Sequence, residues 1–158
     1  MPPSATDEIH DFLIDECETL DAGDYEAWLR LFTSDGLYWV PLAHGQESPD
    51  SDHSLFCENV LLLTMRVERM RHPAAHGMAG QLRTSRLIGN VRVLEHDAQT
   101  AKVSARFVLV ELENQRERLF SGKLTYDLVR DALRWRMRRK RVDLLNCDCP
   151  LASIQILF

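Results

Sequence analysis

The N-terminal part of the chain carries apolar positions at helical spacing. Apolar side chains recur at steps of three and four residues, at Ile9, Phe12, Leu13, Cys17 and Leu20. This stripe predicts a helix over residues 6–20. Gly23 ends the helix, because glycine readily adopts the positive φ found just past a helix end. Asp24 can cap a second, shorter helix through its carboxylate. The inner face of that second helix carries Ala27, Trp28 and Leu31.

The middle of the chain alternates short apolar segments with polar ones. Residues 37–40 are aromatic and β-branched, as is typical of a strand, and Pro41 places the end of this strand at a sheet edge. A later amphipathic pattern predicts a third helix. The predicted order is a turn over 33–36, a strand over 37–40, a loop over 43–53, a helix over 55–70 and a loop over 71–82.

From Arg86 onward the period of the apolar positions changes from about 3.6 residues to two, which predicts strands. Turns at 97–100 and 130–132 separate them. The first strand is predicted to direct Leu87, Gly89, Val91 and Val93 to one face and Arg86, Asn90 and Arg92 to the other. The next two strands present Ala101, Val103, Ala105, Phe107 and Leu109, then Phe120, Gly122, Leu124, Tyr126 and Leu128. In the last strand, which opens with Leu133 and Trp135, the apolar parity slips between Met137 and Val142. This slip predicts a β-bulge within 138–141.

Helices followed by a long antiparallel meander predict an α+β domain, with the helices against one face of a curved sheet. We expect one domain over 1–158, because this length is typical of single domains. A curved sheet folded over helices leaves a conical cavity. A protein of this shape either carries out chemistry in the cavity or uses the open face of the sheet for assembly.

Composition and charge narrow the function classes. Hydrophobic residues make up 45% and charged residues 27% of the chain, as in an ordinary globular protein. The net charge of −5 disfavours a nucleic-acid binder. The longest apolar run, 60–63, is far too short to span a membrane, and the N-terminus has no secretory pattern. The four cysteines, Cys17, Cys57, Cys147 and Cys149, show no disulfide framework, so we expect reduced thiols in a cytoplasmic protein.

Two sequence patterns are candidates for a metal or redox site. Glu68, His72 and His76 offer a carboxylate and two imidazoles, a mixture that suits iron or zinc. Pro73 and Gly77 favour a loop there rather than a shared helix face, which argues against the site. A Rieske cluster needs paired cysteines and histidines, and the chain has no Cys-x-His pair. The segment 147–149 supplies two cysteines around an aspartate without histidine partners in sequence. The sequence therefore predicts neither a metal nor a cofactor site.

Acid–base chemistry is a second possibility. The titratable candidates near predicted strands are Tyr25, Asp35, Tyr38, His96 and Tyr126. An apolar pocket raises the pKa of an aspartate, which would make Asp35 a general base. The competing interpretation, which we favour, makes the tyrosines core residues and Asp35 a turn residue.

A basic cluster in the last predicted strand can serve a partner. It consists of Arg134, Arg136, Arg138, Arg139, Lys140 and Arg141. Its alternation predicts a solvated or partner-facing sheet surface, where arginine pairs well with carboxylates. The tail 149–158 ends in an apolar segment that is too hydrophobic to extend freely into water. Arg134, Arg136, Arg138, Ile156 and Phe158 are the predicted partner contacts.

Three segments in order resemble one known family. Residues 21–42 are similar to the opening of the small (β) subunits of aromatic-ring-hydroxylating dioxygenases. Residues 83–93, with Ser85-Arg86 before Asn90-Val91, resemble a strand of that family, and 140–148 resemble its C-terminal strand. The C-terminal form resembles most the benzoate, toluate and anthranilate branch. The chain departs from the family at 72–82, where His72-Pro73-Ala74-Ala75-His76-Gly77 replaces a tryptophan-containing loop.

The resemblance implies an NTF2-like cone, the fold shared with ketosteroid isomerase and scytalone dehydratase. It also implies that this chain holds no cofactor, and that a Rieske [2Fe–2S] cluster and a non-haem iron belong to a separate large subunit. In the family, three small and three large subunits assemble. The main hypothesis is thus a non-catalytic structural subunit, binding neither nucleic acid nor membrane. The alternative is a free-standing dehydratase or isomerase that uses Asp35, Tyr38 and His96 in the cone.

Overall fold

The computed structural model describes residues 3–71 and 82–158 and contains helices packed on one six-stranded sheet. The elements are α1 (Ala5–Asp21), α2 (Tyr25–Leu29), β1 (Phe32–Pro41), β2 (Ser54–Asn59), α3 (Val60–Arg71), β3 (Arg83–His96), β4 (Thr100–Glu113), β5 (Arg116–Asp131) and β6 (Arg134–Leu144). The strand order is β2-β1-β6-β5-β4-β3. Neighbouring strands are antiparallel except β1 and β6, which are parallel. The predicted α+β class with a mostly antiparallel sheet is confirmed.

Helix α1 forms as the apolar stripe predicts. The Ser4 hydroxyl accepts a hydrogen bond from the Asp7 backbone, and the Asp7 carboxylate accepts one from the Ser4 backbone, so a capping box fixes the first turn. Gly23, with a φ of +71°, follows the end of the helix as expected. The buried face includes Ile9, Leu13 and Leu20, and also Glu16, which the sequence analysis did not single out.

Helix α2 is short and is held by side-chain contacts. The Asp24 carboxylate accepts a hydrogen bond from the Ala27 backbone at 3.0 Å, as the predicted cap requires. Trp28 is fully buried, and its ring makes T-shaped contacts with Phe32 and Tyr38, with ring centroids 4.9 Å and 5.6 Å apart. These aromatic contacts join the short helix to β1.

The prediction of one helix over 55–70 is wrong at its N-terminal end. The first part is strand β2, in which Cys57 pairs with Trp39 of β1. The helix begins only at Val60, and the Asn59 side chain accepts a hydrogen bond from the Leu62 backbone at 3.0 Å. Asn59 was therefore the overlooked helix-start signal. The apolar positions of β2 run directly into those of α3, and periodicity alone does not separate two such short segments.

Strand β1 differs from its prediction in two ways. It begins at Phe32, and the predicted turn over 33–36 lies inside the strand as an irregular bulge between the pairs Phe32–Met137 and Leu37–Arg139. Pro41 does lie at a register shift, but β1 is flanked on both sides, so the sheet edge is β2. A proline at the last paired position leaves the central ladder intact.

The predicted faces of β3 are inverted in its first half. Arg86 and Ile88 point inward, whereas Leu87 is 74% exposed and Gly89 also faces solvent. A register shift between Gly89 and Arg92, with Asn90 at a φ of 51°, restores the predicted inward direction for the valines at 91 and 93. One extra residue exchanges the faces of a strand, and the alternation of β3 continues without a visible break in the sequence.

The bulge predicted in the last strand is confirmed. Leu128 pairs with Met137 and Asp127 pairs with Arg139, so Arg138 is the extra residue. After the bulge, Lys140 points inward together with Val142 and Leu144. Leu133, predicted to open the strand, lies in the preceding turn and is 89% exposed.

The sheet has two faces with different roles. The inner face, covered by α1, α2 and α3, carries the core, including Val103, Phe107 and Leu124. We call the opposite side the outer face. It carries the alternate residues of β4 and β5, such as Arg106 and Lys123. Among the described residues, no helix has the length and apolar character required to cross a membrane.

Candidate functional site: the interior of the cone and the outer face

The C-terminal tail enters the cone. Ile156, Leu157 and Phe158 are each no more than 2% exposed. The Phe158 ring lies 5.2 Å from that of Phe120 and 6.3 Å from that of Phe107, on two strands of the inner face. The last residues of the chain are therefore part of the core, which agrees with the expectation that so apolar a tail is buried.

Hydrogen bonds hold the tail in this position. The Phe158 backbone N–H donates to the Tyr38 hydroxyl at 2.9 Å, and the Arg86 guanidinium donates to the Leu157 carbonyl. Closer to the start of the tail, Arg118 donates to the Ser153 carbonyl at 2.9 Å. Burial raises the pKa of the Tyr38 hydroxyl well above its ordinary value, so this group stays neutral as it accepts the tail's hydrogen bond.

A buried polar cluster lies beside the tail and is centred on Glu16. The Glu16 carboxylate accepts hydrogen bonds from the Trp28 indole at 2.9 Å, the Tyr126 hydroxyl at 2.7 Å and the Lys140 ammonium at 2.5 Å. Burial, followed by the charge of Glu16, raises the pKa of Tyr126 far above its ordinary value. A buried carboxylate with a cation and two neutral donors has its hydrogen-bonding demands met. This cluster joins α1, α2, β5 and β6.

The sequence analysis missed this cluster, although two signals were present. Glu16 falls on the apolar stripe between Leu13 and Leu20, where a charged residue needs a buried partner. Lys140 follows the predicted bulge at the parity that points inward with Val142. The prediction that Lys140 belongs to a solvated or partner-facing surface is wrong, because its side chain is 2% exposed.

The residues of the acid–base alternative are not brought together. Asp35 is exposed in the bulge of β1, and the hydrogen bond from Thr33 lowers its pKa, opposite to what a general base requires. His96 is exposed at the end of β3, which three strands separate from β1. Tyr38 and Tyr126 are buried in different hydrogen-bonded arrangements, and Tyr25 is half-buried with a pKa raised by burial. The interpretation of the tyrosines as core residues fits Tyr38 and Tyr126.

The proposed metal patterns have different outcomes. Glu68 is exposed on α3, and His72 and His76 lie outside the described residues. Residues 147–149, by contrast, lie next to a histidine from a distant part of the chain, His44. One ligand atom each from His44, Cys147 and Asp148 lie within 4.8 Å of one another. The sequence analysis missed His44, because no spacing rule connects it with the C-terminal cysteines.

The basic cluster of β6 is largely engaged in ion pairs. Arg136 pairs with Asp131 at 2.9 Å and Arg139 with Asp127 at 2.8 Å. Arg141 pairs with Asp143 at 2.7 Å and also covers the Trp39 ring. Arg134 and Arg138 are exposed. Paired arginines offer little free charge for a phosphate backbone.

The outer face also carries an apolar patch. It is formed by Leu87, Val108 and Leu119, which are 74%, 40% and 66% exposed. Leu87 pairs directly with Val108 across β3 and β4, so these side chains are neighbours. A basic groove adjoins the patch and is lined by Asn90, Val91, Arg92, Ser104, Arg106 and Lys123. An apolar patch with a charged border is typical of protein–protein contact sites.

The fold defines the class of the protein. Helices over one face of a curved, mostly antiparallel sheet make the NTF2-like cone. A scytalone dehydratase-like protein of Novosphingobium aromaticivorans DSM 12444 has this fold and superposes with a TM-score of 0.66. The match covers 87% of this chain and 81% of that protein, at 14% sequence identity. The beta subunit of the benzoate 1,2-dioxygenase of Burkholderia mallei ATCC 23344 superposes with a TM-score of 0.80 over 99% of both chains, at 25% identity.

The sequence comparison defines the family. The small oxygenase component of the p-cumate 2,3-dioxygenase system of Pseudomonas putida is 32% identical over 153 residues, 95% of this chain and 85% of that protein. The chain belongs to the ring hydroxylating beta subunit family, whose model matches residues 15–150. It is a small subunit of an aromatic-ring-hydroxylating dioxygenase, and a large alpha subunit is its implied partner.

Proposed function

We propose that this chain is an architectural subunit: it supports a large subunit that carries the Rieske [2Fe–2S] cluster and the non-haem iron, and it has no reaction centre of its own. The observation that carries this proposal is the occupation of the cone by the chain's own C-terminus. Phe158 packs among the rings of the inner face, and the Tyr38 hydroxyl is engaged by the tail backbone. The polar groups that a cone enzyme would use are bonded to one another around Glu16.

The outer face is the surface that we assign to the large subunit. Its apolar patch of Leu87, Val108 and Leu119 adjoins the basic groove that contains Arg106 and Lys123. Two copies of so basic a surface repel each other when they meet face to face. A different, acidic surface complements it. The occupant is therefore an acidic, partly apolar surface of the large subunit.

The predicted contacts of the sequence analysis divide into two groups. Ile156 and Phe158 are enclosed by this chain's own cone, so their side chains support the subunit from within. Arg134, Arg136 and Arg138 lie on the surface, and Arg134 and Arg136 belong to the end of the outer face opposite the apolar patch. We keep these arginines as proposed contacts, in an assembly of three small and three large subunits.

The assembly is tested by co-expression with a Rieske-type large subunit from the same genome. The two chains are expected to co-purify in equal amounts, with a native mass of three copies of each. Leu119→Asp is expected to weaken this complex strongly, because it places a charge in the apolar patch. Leu61→Asp is the matched control, since Leu61 is 68% exposed, like Leu119, and lies on α3 rather than on the outer face. Failure to co-purify, or equal effects of the two substitutions, would overturn the assignment of this surface.

The absence of a reaction centre is tested separately. Tyr126→Phe removes one hydroxyl from the cone and leaves the ring. We expect the complex reconstituted with this variant to turn over benzoate or p-cumate with an unchanged kcat. If the cone held an acid–base site that uses Tyr126, the kcat would fall. Turnover of an aromatic compound by the small subunit alone would refute the proposal.

A further inference from the structure

The parallel pairing of β1 and β6 brings two distant loops together. These strands run in the same direction, with Trp39 opposite Arg141, so the residues that follow both strands emerge at the same end of the sheet. His44 follows the end of β1, and Cys147, Asp148 and Cys149 follow the end of β6. No local spacing in the sequence predicts this juxtaposition, because it arises from the strand order.

The donor atoms are close enough to share one cation. The His44 Nε2 lies 3.4 Å from the Asp148 Oδ1. Around a tetrahedral zinc ion, with bonds of roughly 2.0–2.3 Å, neighbouring ligand atoms lie roughly 3.3–3.8 Å apart. The widest separation among the donors of His44, Cys147 and Asp148 is within 4.8 Å, so small side-chain movements complete the geometry. Cys149 offers a fourth donor: its Sγ lies 3.8 Å from the same Asp148 oxygen, and a rotation of this exposed side chain is needed to bring the sulfur to the donors of His44 and Cys147.

The surroundings favour capture of an ion from solution. Cys147 is 5% exposed, whereas the side chains of His44 and Asp148 are 57% and 63% exposed. The Cys147 sulfur is thus fixed in a buried position, whereas the other ligands are accessible to an ion in solution. Backbone hydrogen bonds from Cys147 to Leu144 and from Cys149 to Asn146 shape the turn that carries the sulfur atoms.

We propose that His44, Cys147, Asp148 and Cys149 bind one Zn²⁺ ion, which fastens the start of the C-terminal tail to the loop after β1. Thiolate, imidazole and carboxylate together are the donor set of tetrahedral zinc. The site is structural: it anchors the segment that leads to the buried Phe158. The inference is independent of the proposed function, because it depends only on contacts within this chain.

Cobalt is the probe for this site. The full-length chain, freed of metal and kept reduced with a non-thiol reductant, is titrated with Co²⁺. We expect a thiolate-to-cobalt charge-transfer band and the intense visible bands of tetrahedral cobalt, saturating at one ion per chain and displaced by Zn²⁺. Addition of Zn²⁺ is also expected to raise the Tm, since an ion that binds the folded state stabilises it.

Variants distinguish this site from adventitious binding. Loss of a residue that only supports a metal ligand typically weakens metal binding roughly 10- to 100-fold. His44→Ala and Cys147→Ser each remove a ligand itself, so we expect each to weaken Co²⁺ binding by at least this factor. His53→Ala and Cys57→Ser are matched controls at exposed positions and are expected to leave binding unchanged. His44 is exposed, so its substitution tests binding without risk to the fold. The proposal fails if no thiolate band forms, if His44→Ala leaves the affinity for Co²⁺ unchanged, or if Cys57→Ser removes the band.

Discussion

Lys140 donates a hydrogen bond of 2.5 Å to Glu16, although 124 positions separate the two residues and both side chains are buried. The pair joins the first helix to the last strand through the centre of the cone. Tyr126 and Trp28 donate the remaining hydrogen bonds to the Glu16 carboxylate. Two opposite charges inside a protein are tolerated when each meets the other and the remaining oxygens and protons also find partners.

Removal of one member of this pair should destabilise the fold strongly. Lys140→Met leaves the Glu16 carboxylate buried without its cation, and Glu16→Gln leaves the ammonium without its anion. We expect each substitution to lower the free energy of unfolding by about 3–5 kcal/mol, the range for a buried charge that loses its partner. Urea unfolding of the isolated subunit measures this.

The double variant Glu16→Gln/Lys140→Met serves as the control for that prediction. It buries no uncompensated charge, so it should be more stable than the sum of the two single effects implies. Additive losses, or single variants as stable as the parent chain, would contradict the coupling of the two residues.

The tail should contribute to stability as a core element. Phe158 packs against Phe107 and Phe120, so Phe158→Ala is expected to cost about 3–5 kcal/mol, as for other buried aromatic residues. Deletion of residues 154–158 should cost more and expose the inner face to a hydrophobic dye. Thermal unfolding and dye fluorescence are the measurements. Leu133→Ala, at a position 89% exposed, should change stability by no more than about 0.5 kcal/mol.

Two glycines on the sheet should differ strongly in how well they tolerate the same substitution. A Cβ added at Gly122 would lie 2.1 Å from the Asp143 carbonyl oxygen of the neighbouring strand, whereas one added at Gly89 meets nothing within 4 Å. Gly122→Ala forces the two backbones apart, so we expect it to lower the free energy of unfolding by at least as much as overpacking of a core does, roughly 1–3 kcal/mol. Gly89→Ala is expected to be tolerated. Similar melting temperatures for the two variants would contradict this close approach.

The sequence predicted those features that depend on local periodicity. The alternation of β4 matches its observed inner face, and the parity slip correctly placed a bulge near Arg138. Periodicity failed at residues 55–59, where a short strand continues directly into a helix. It also failed in β3, where the bulge around Asn90 leaves no mark in the alternation. In both cases pairing with a distant strand decides the structure, and pairing is not encoded in a local window.

The candidate site depended even more on distant contacts. Glu16, Lys140 and Tyr126 come from three separate elements, and His44 meets Cys147 only because β1 and β6 are parallel. The tail, by contrast, was predictable as buried because five consecutive residues at its end are mostly apolar. Composition indicated that the tail is buried. It did not indicate where, because the cone that encloses the tail is formed by strands that are distant from one another in the sequence.

The cysteines should differ sharply in reactivity. Burial, followed by the charge of Glu16, raises the pKa of Cys17 to about 11. At pH 8 roughly one Cys17 side chain in a thousand is then a thiolate, which is the reactive form. Cys57 and Cys149 are exposed, and in the metal-free subunit we expect iodoacetamide to alkylate them first. Cys17 should be alkylated at a comparable rate only after unfolding in urea, as mass spectrometry of peptide fragments can follow over time. Lys140→Met leaves Glu16 without its buried cation and so loosens this region, which should speed alkylation of Cys17 through local opening, even though the loss of the nearby positive charge itself raises the pKa of Cys17. Leu133→Ala should not speed it. Fast alkylation of Cys17 in the native subunit would contradict the packing of α1 against the sheet.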